Sequence, residues 1–320
     1  MAILEPKNLK QSAAQALSGA AYAPGKLVLI HSGISLGASL LVAVLNFLLA
    51  QGIGGTGGLS GMGLRAILET AQSVLSMGTS LLLPFWEAGL IFAAVCWARN
   101  SSPGPQALTH GFRRFGPVLR LMLARFGLYF LIGIACINIS SFAVMLFPVP
   151  QEFEELVMQL QTESMTDIQT LLEQIPMDVL LEAMLPTLIV FSVLYLGAVI
   201  ISGYYLRLAD YIVLDEPKTG AIAAILESFR LMRGNCRNML RLDLSFWWYF
   251  AIQAALAVLC YADVLLPAVG ITLPFSANVG FFVFYILYTL CQLALYWKCR
   301  AGVETSYAKV YSDLRTPPTE

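Results

Sequence analysis

Six apolar runs recur along this 320-residue chain: Leu27–Ala50, Ser80–Ala98, Phe126–Phe147, Leu185–Leu206, Leu244–Leu266 and Val279–Trp297. Each is close to the length of about 20 residues that a helix needs to cross the roughly 30 Å hydrocarbon core of a bilayer. In hydrocarbon, every backbone N–H and C=O must find its partner inside the segment, so such runs fold as helices. Composition agrees, with 58% of residues hydrophobic and 12% charged, where a soluble domain carries about a quarter charged residues to cover its surface. The expected fold is all-α: a polytopic membrane protein of six transmembrane helices, forming a single integral-membrane domain over residues 1–320. The first run follows a mildly polar stretch and ends without a small-residue cleavage site, so it reads as a retained helix rather than a cleaved signal.

The basic residues give the spans an orientation. Lys7, Lys10 and Lys26 precede the first span, and Arg99, Arg113, Arg114, Arg120 and Arg125 lie between the second and third. Arg207, Lys218, Arg230, Arg233, Arg237 and Arg241 lie between the fourth and fifth, and Lys298, Arg300, Lys309 and Arg315 follow the sixth. Only Arg65 falls in the alternate loops, so 18 of the 19 basic residues share one side. Basic loops stay cytoplasmic, which predicts cytoplasmic N- and C-termini. It also supports the span count, because an error of one span would scatter the charges. Residues 1–26 then form a cytoplasmic amphipathic lead-in and residues 301–320 a cytoplasmic tail.

The opposite side has a different character. A glycine-rich turn, Gly52–Gly58, is followed by Leu64, Ile67, Leu68, Ala71, Val74 and Leu75 at helical spacing. That piece is too short and polar to span and is expected to lie on the outer interface. Residues 148–184 hold Glu152, Glu154, Glu155, Glu163, Asp167, Glu173, Asp178 and Glu182 with no Lys or Arg. Phe153, Leu156, Leu160 and then Ile168, Leu171, Leu172 and Ile175 recur at helical spacing. An acidic extracytoplasmic segment of two amphipathic helices is expected, the second capped by Thr166. It is expected to serve as a solvated cap on the bundle, or else as a surface that docks a membrane-protein partner or attracts cations.

A weak repeat precedes alternate spans: QALSGAAYAPGKLVLI from Gln15, QALTHGFRRFGPVLRLML from Gln106 and AILESFRLMRGNCRNMLRLDL from Ala224. Each reads as a short amphipathic helix ending in a basic, glycine-containing turn that feeds a span. This suggests three repeated hairpins, each with an interfacial helix. In such a helix Ile222, Ile225, Leu226 and Phe229 can enter the acyl boundary. Arg230, Arg233 and Arg237, like Arg113, Arg114 and Arg120, can meet anionic headgroups on the cytoplasmic face. Membrane lipids are therefore the expected partners, and no nucleic-acid partner is expected.

The same segments carry a family resemblance. NLKQSAAQALSG, LTHGFRRFGPVLRLML, YYLRLADYIVLDEP and AIAAILESFRLMRGNCRNMLRLDLSF resemble the bacterial integral-membrane proteins grouped as domain of unknown function 975. The strongest part is Tyr204–Phe246, where ESFRLMRGN at Glu227–Asn235 is similar to the family's Ser-x-x-x-Met-x-Gly-Asn core. The acidic segment is longer than the family pattern implies. The resemblance implies a multi-pass bacterial membrane protein, and it has no activity or catalytic residues to carry over.

Motifs for chemistry are sparse. The sequence contains no GxxxxGK[ST], HExxH or DxDxDG pattern, and its one GxSxG match, Gly33–Gly37, lies inside the first apolar run without the strand-to-turn context of a nucleophile elbow. Its six cysteines form no CxxC pair and read as small apolar packing residues. Two histidines, His31 and His110, are too few for a ligand cluster, so neither a metal nor a cofactor is expected. Intramembrane ionisable groups are the default functional candidates, and Glu87 stands out, two turns inside the second span. His31, Asn46, Asn138, Gln253 and Asp263 complete the polar set, while Asp210 and Asp243 are read as local partners of Arg207 and Arg241. Gly33 and Gly37 form a GxxxG motif and, with Gly197 and Gly203, are expected to permit close helix approach. Two functions are carried forward. The first is a non-enzymatic protein that binds or organises protein partners or lipids in a bacterial plasma membrane. The alternative is a small-solute or ion transporter or channel component working through Glu87.

Overall fold

The structure, a computed structural model, describes residues 5–50, 59–144, 177–216, 218–262, 265–266, 270 and 277–315. Among the described residues there is no strand. The elements are α1 (Pro6–Ser18), α2 (Pro24–Ala50), α3 (Leu59–Ala98), a 3-10 turn (Pro105–Thr109), α4 (His110–Arg113), α5 (Phe115–Val144) and α6 (Met177–Leu206). There follow α7 (Ala209–Asp215), α8 (Ala221–Met232), α9 (Cys236–Ser245), α10 (Trp247–Cys260), α11 (Ala277–Leu295), a π turn (Tyr296–Arg300) and α12 (Ala301–Arg315). Five helices are long and apolar enough to cross a membrane, or six when α9 and α10, bent by 68°, count as one span. The chain is a multi-pass helical membrane protein.

Local chemistry sets the boundaries. α1 opens on Pro6, where the missing N–H removes no helix bond, and buries Leu9, Ala13 and Ala16 at spacings of four and three. α3 stops at Asn100, which takes a left-handed φ of 57°. There Ser101 N–H donates to the Cys96 carbonyl at 2.9 Å and Asn100 N–H to the Trp97 carbonyl at 2.8 Å, the paired bonds of a Schellman stop. The Ser-x-x-x-Met-x-Gly-Asn run has a clear mechanical role. Ser228 and Met232 are fully buried, Gly234 adopts φ +85° after α8, and the Asn235 side chain donates to the Leu231 carbonyl at 2.9 Å. Only glycine takes that backbone conformation without a Cβ penalty.

Internal contacts divide the chain into two compact units, Met1–Leu121 with Arg207–Glu320, and Met122–Leu206. The second unit pairs the apolar stretches of α5 and α6. Tyr195 lies 3.7 Å from where a Cβ on Gly133 would sit, and the Arg125 guanidinium donates to the Leu206 carbonyl at 2.7 Å. Phe126, Phe142 and Val193 are 71%, 74% and 67% exposed. Aromatic and branched side chains presented outward along both helices fit hydrocarbon as the solvent.

The first unit has a core of the ordinary kind. Leu27, Leu90, Trp97, Leu108, Ile212, Met232, Leu242 and Tyr311 are buried to 2% exposure or less. α12 packs against α1 and α3, α7 packs against both α3 and α8, and α1 also touches α9. The core is therefore assembled from the last turns of α3 and the amphipathic helices between spans.

Four expectations change. The outer interfacial helix over Leu64–Leu75 is not separate. α3 runs unbroken for 40 residues, because no breaker separates it from the span and a single Pro84 is accommodated inside. The fifth span is short: α10 begins at Trp247, and Leu244 belongs to α9 on the far side of the 68° bend. The tail over 301–315 is a core helix, with Val303, Tyr307, Ala308, Val310 and Tyr311 buried. A Cβ at Gly33, Gly37, Gly197 or Gly203 would meet no described residue within 4 Å, so the GxxxG stripe is not a contact within the described chain. The lead-ins do appear as helices before α2, α5 and α10, although the second is only the 3-10 turn and α4. The Gly52–Gly58 turn lies outside the described residues, as do Asp263 and most of residues 148–184.

Candidate functional site

Glu87 gathers the polar residues that the sequence left apart. Two glycine contacts fix its level in the helix. A Cβ on Gly89 would collide with the Leu108 backbone, and one on Gly111 with the Phe85 carbonyl. The 3-10 turn and α4 therefore lie directly against the face of α3 that carries Phe85 and Gly89. Phe85 stacks on Phe115 with centroids 4.6 Å apart, and His110 stacks on Phe92 at 3.6 Å. Arg113 ends α4 and Arg114 follows it, while Glu87, two residues on from Phe85, projects from a different face of α3.

Across from it, the π turn brings Arg300 into contact. Arg300 Nη2 donates to Glu87 Oε2 at 2.5 Å, its Nε lies 3.9 Å from Glu304 Oε1, and its guanidinium covers the Tyr296 ring at 4.6 Å. A π turn shifts the helix register by about one residue, and here it delivers the arginine between the α3 and α12 carboxylates. His31 stands on the third side, with Nε2 3.8 Å from Glu87 Oε2. The imidazole is fully buried and stacks on Trp86 at 5.8 Å and 10°. The indole N–H of Trp86 donates to the His31 carbonyl at 3.0 Å.

Arg300 is the first rung of a ladder. Glu304, Tyr307, Tyr311 and Arg315 follow at spacings of four, three, four and four, which is one face of α12. The Tyr307 hydroxyl donates to Asp243 Oδ1 at 2.6 Å. Arg207 donates to Asp243 Oδ2 at 2.7 Å and lies over the Tyr307 ring at 3.8 Å. The Tyr311 hydroxyl donates to Asp215 at 2.9 Å. Arg99 grips the same carboxylate with two bonds of 2.7 and 2.6 Å. Arg315 reaches Asp215 at 3.0 Å and also bonds Glu216 and Tyr311. Bidentate and charge-assisted bonds of this kind are the stronger class, and here they tie α3, α7, α9 and α12 together.

Of the sequence candidates, His31 and Glu87 meet. Asn46 is exposed, fifteen residues along α2 from His31. Asn138 returns its amide to its own helix, at 2.7 Å from the Ile134 carbonyl. Gln253 is half-buried on α10, and Arg113, Arg120, Arg230, Arg233 and Arg237 are exposed. Arg207 and Asp243 pair with each other, 36 residues apart, a long-range pair that the sequence did not suggest. Arg300, Glu304 and Arg315 were missed. The signal was present in RAGVETSYAKVYSDLR, where charged and aromatic residues alternate with Ala and Val at helical spacing.

His110 has a measurable consequence. Burial against Phe92, then the charges of Arg114 and Arg113, hold its imidazole below the ordinary value of 6.5. A depressed folded value means that its contribution to stability is complete above the unfolded value and is lost as pH falls through the folded one. Acidification from pH 7 to pH 5 should therefore loosen α4 from α3, and His110→Phe should flatten that dependence. Melting of both proteins in detergent at the two pH values checks this; equal pH sensitivity would reject it.

Among the described residues no group of three or more His, Cys, Asp or Glu side chains could hold a metal ion. No curated protein and no solved structure matches the chain. The family model described as "Protein of unknown function (DUF975)" matches residues 3–303. That match covers the lead-ins, the spans and the start of α12, and the chain belongs to the DUF975 family.

Proposed function

We propose that this is a non-enzymatic multi-pass protein of a bacterial plasma membrane, with both termini cytoplasmic, that binds and organises anionic lipids along its cytoplasmic face. The observation that carries this reading is α8. Its Ala221, Ala224, Ser228 and Met232 face the core, while Ile222 and Leu226 on the opposite side are 71% and 64% exposed. Arg230, Arg233 and Arg237 follow, exposed and without an ion pair to a described residue. An apolar stripe beside arginines that pair with no described residue matches the chemistry of the headgroup boundary. The placement of the basic residues on one side supports the orientation.

The competing reading, a transporter or channel component working through Glu87, would need that carboxylate available to a solute or proton. Its bond to Arg300 argues for a structural assignment instead.

The test uses purified protein in nanodiscs of mixed phosphatidylglycerol and phosphatidylethanolamine. Arg230→Gln/Arg233→Gln/Arg237→Gln should cut the enrichment of phosphatidylglycerol around the protein severalfold, since each arginine near the surface contributes on the order of 1 kcal/mol. Unchanged enrichment would refute the lipid reading. Solute flux in liposomes that vanishes in Glu87→Gln would favour the transporter.

A further inference from the structure

A groove of about 1040 Å³ opens between α2 and the first two-thirds of α3. Ile34, Ala38 and Leu45 form one wall, and Ile67, Val74 and Leu82 the other. Three lining residues carry polar side-chain atoms, and the donor of each is already committed. The Thr70 hydroxyl donates to the Ala66 carbonyl at 2.7 Å, the Thr79 hydroxyl to the Ser76 carbonyl at 2.9 Å, and the Trp86 indole to the His31 carbonyl at 3.0 Å. A lining with no spare donor selects for hydrocarbon and penalises any polar occupant. The groove is open at Gly78, where a Cβ would meet nothing within 4 Å.

One end of the groove is closed by Trp86 and Phe112, whose rings are 6.5 Å apart. The two residues after Phe112 are Arg113, exposed, and Arg114, half-buried, neither with an ion pair to a described residue. From Trp86 to Val74 the groove follows α3 for twelve residues, about 18 Å at the helical rise. That is close to half of the roughly 30 Å hydrocarbon core. That stretch is an apolar trough about one leaflet deep, and the two residues that follow the Phe112 closing its end are arginines paired with no described residue, which is the charge and polarity pattern of a phospholipid in reverse.

We propose that this half of the groove seats the acyl chains of one anionic phospholipid, with its phosphate held by Arg113 and Arg114. The proposal rests on the membrane orientation given above but not on α8. A helix of a second copy would leave the two arginines without a counter-charge.

Native mass spectrometry of the protein released from phosphatidylglycerol–phosphatidylethanolamine nanodiscs tests it. The wild-type chain should retain one phosphatidylglycerol. Gly78→Phe, which fills the groove, should lower its occupancy about tenfold. Arg113→Gln/Arg114→Gln should keep a bound lipid but lower the preference for phosphatidylglycerol by about tenfold. The α8 triple variant should retain the lipid, which separates this seat from the interfacial reading. Ala38→Phe, on the other wall, repeats the block should Gly78→Phe fail to fold, with intrinsic fluorescence melting as the folding control. Wild-type occupancy in a folded groove-filled variant would overturn the proposal. So would a dimer in which the groove cross-links to a second copy.

Discussion

Gly89→Ala and Gly111→Ala are each expected to cost at least about 3 kcal/mol, the upper end of what overpacking does to a core. In most such substitutions a flexible side chain gives way. Here the atoms in the path are backbone, the Leu108 main chain for Gly89 and the Phe85 carbonyl for Gly111, so α3 must separate from the 3-10 turn and α4. That separation would also uncover Leu108, buried to 1% exposure, and unstack His110 from Phe92. Gly33→Ala supplies the control. A Cβ there meets no described residue within 4 Å, so losing a helical glycine should be neutral or stabilising by roughly 0.5–1 kcal/mol. Thermal unfolding in detergent, followed by tryptophan fluorescence, reads all three. Equal melting temperatures for Gly33→Ala and Gly89→Ala would show that the close approach contributes nothing.

Arg300→Met and Glu87→Gln should each destabilise by about 3 kcal/mol, the lower end of the range for breaking a buried pair. The lower end applies for two reasons. Glu87 is 40% exposed, and Glu304 still faces Arg300 at 3.9 Å when Glu87 loses its charge. The double variant should fall well short of the sum, because the cost of either single change is chiefly the charge left behind without its partner. Full additivity of the two melting shifts would mean that the 2.5 Å contact is not an energetic unit. The same cycle bears on function. A carboxylate held for structure loses folding when changed. A carboxylate held for transport loses flux at constant stability.

Much of the architecture was legible because it is set residue by residue. Whether a run such as Leu185–Leu206 spans depends on its own length and polarity, and α6 covers it whole. Hydrocarbon offers a backbone only one local answer. The Ser228, Met232, Gly234 and Asn235 pattern was likewise visible, since a buried face and a left-handed turn are properties of neighbours in the chain. The site was legible only in part. Glu87 and His31 were identified as polar groups in apolar runs, but their arginine lies 213 residues from Glu87. GxxxG pointed to Gly33 and Gly37, whereas the glycines that admit a neighbour's backbone are Gly89 and Gly111, in runs that carry no such spacing.

The sequence by itself determined that this chain crosses a membrane several times as helices, with its arginines and lysines gathered between alternate spans. Solvent preference and hydrogen-bond satisfaction act over single segments, and a single segment is enough to read them. Only the tertiary structure decided that residues 301–315 are core and not tail, and that Glu87 is paired with Arg300. Both depend on which distant face meets which. A helix of low hydropathy such as α12 looks like a solvated tail until Arg99, Arg207, Asp215, Asp243 and Glu87 arrive to neutralise its charged face.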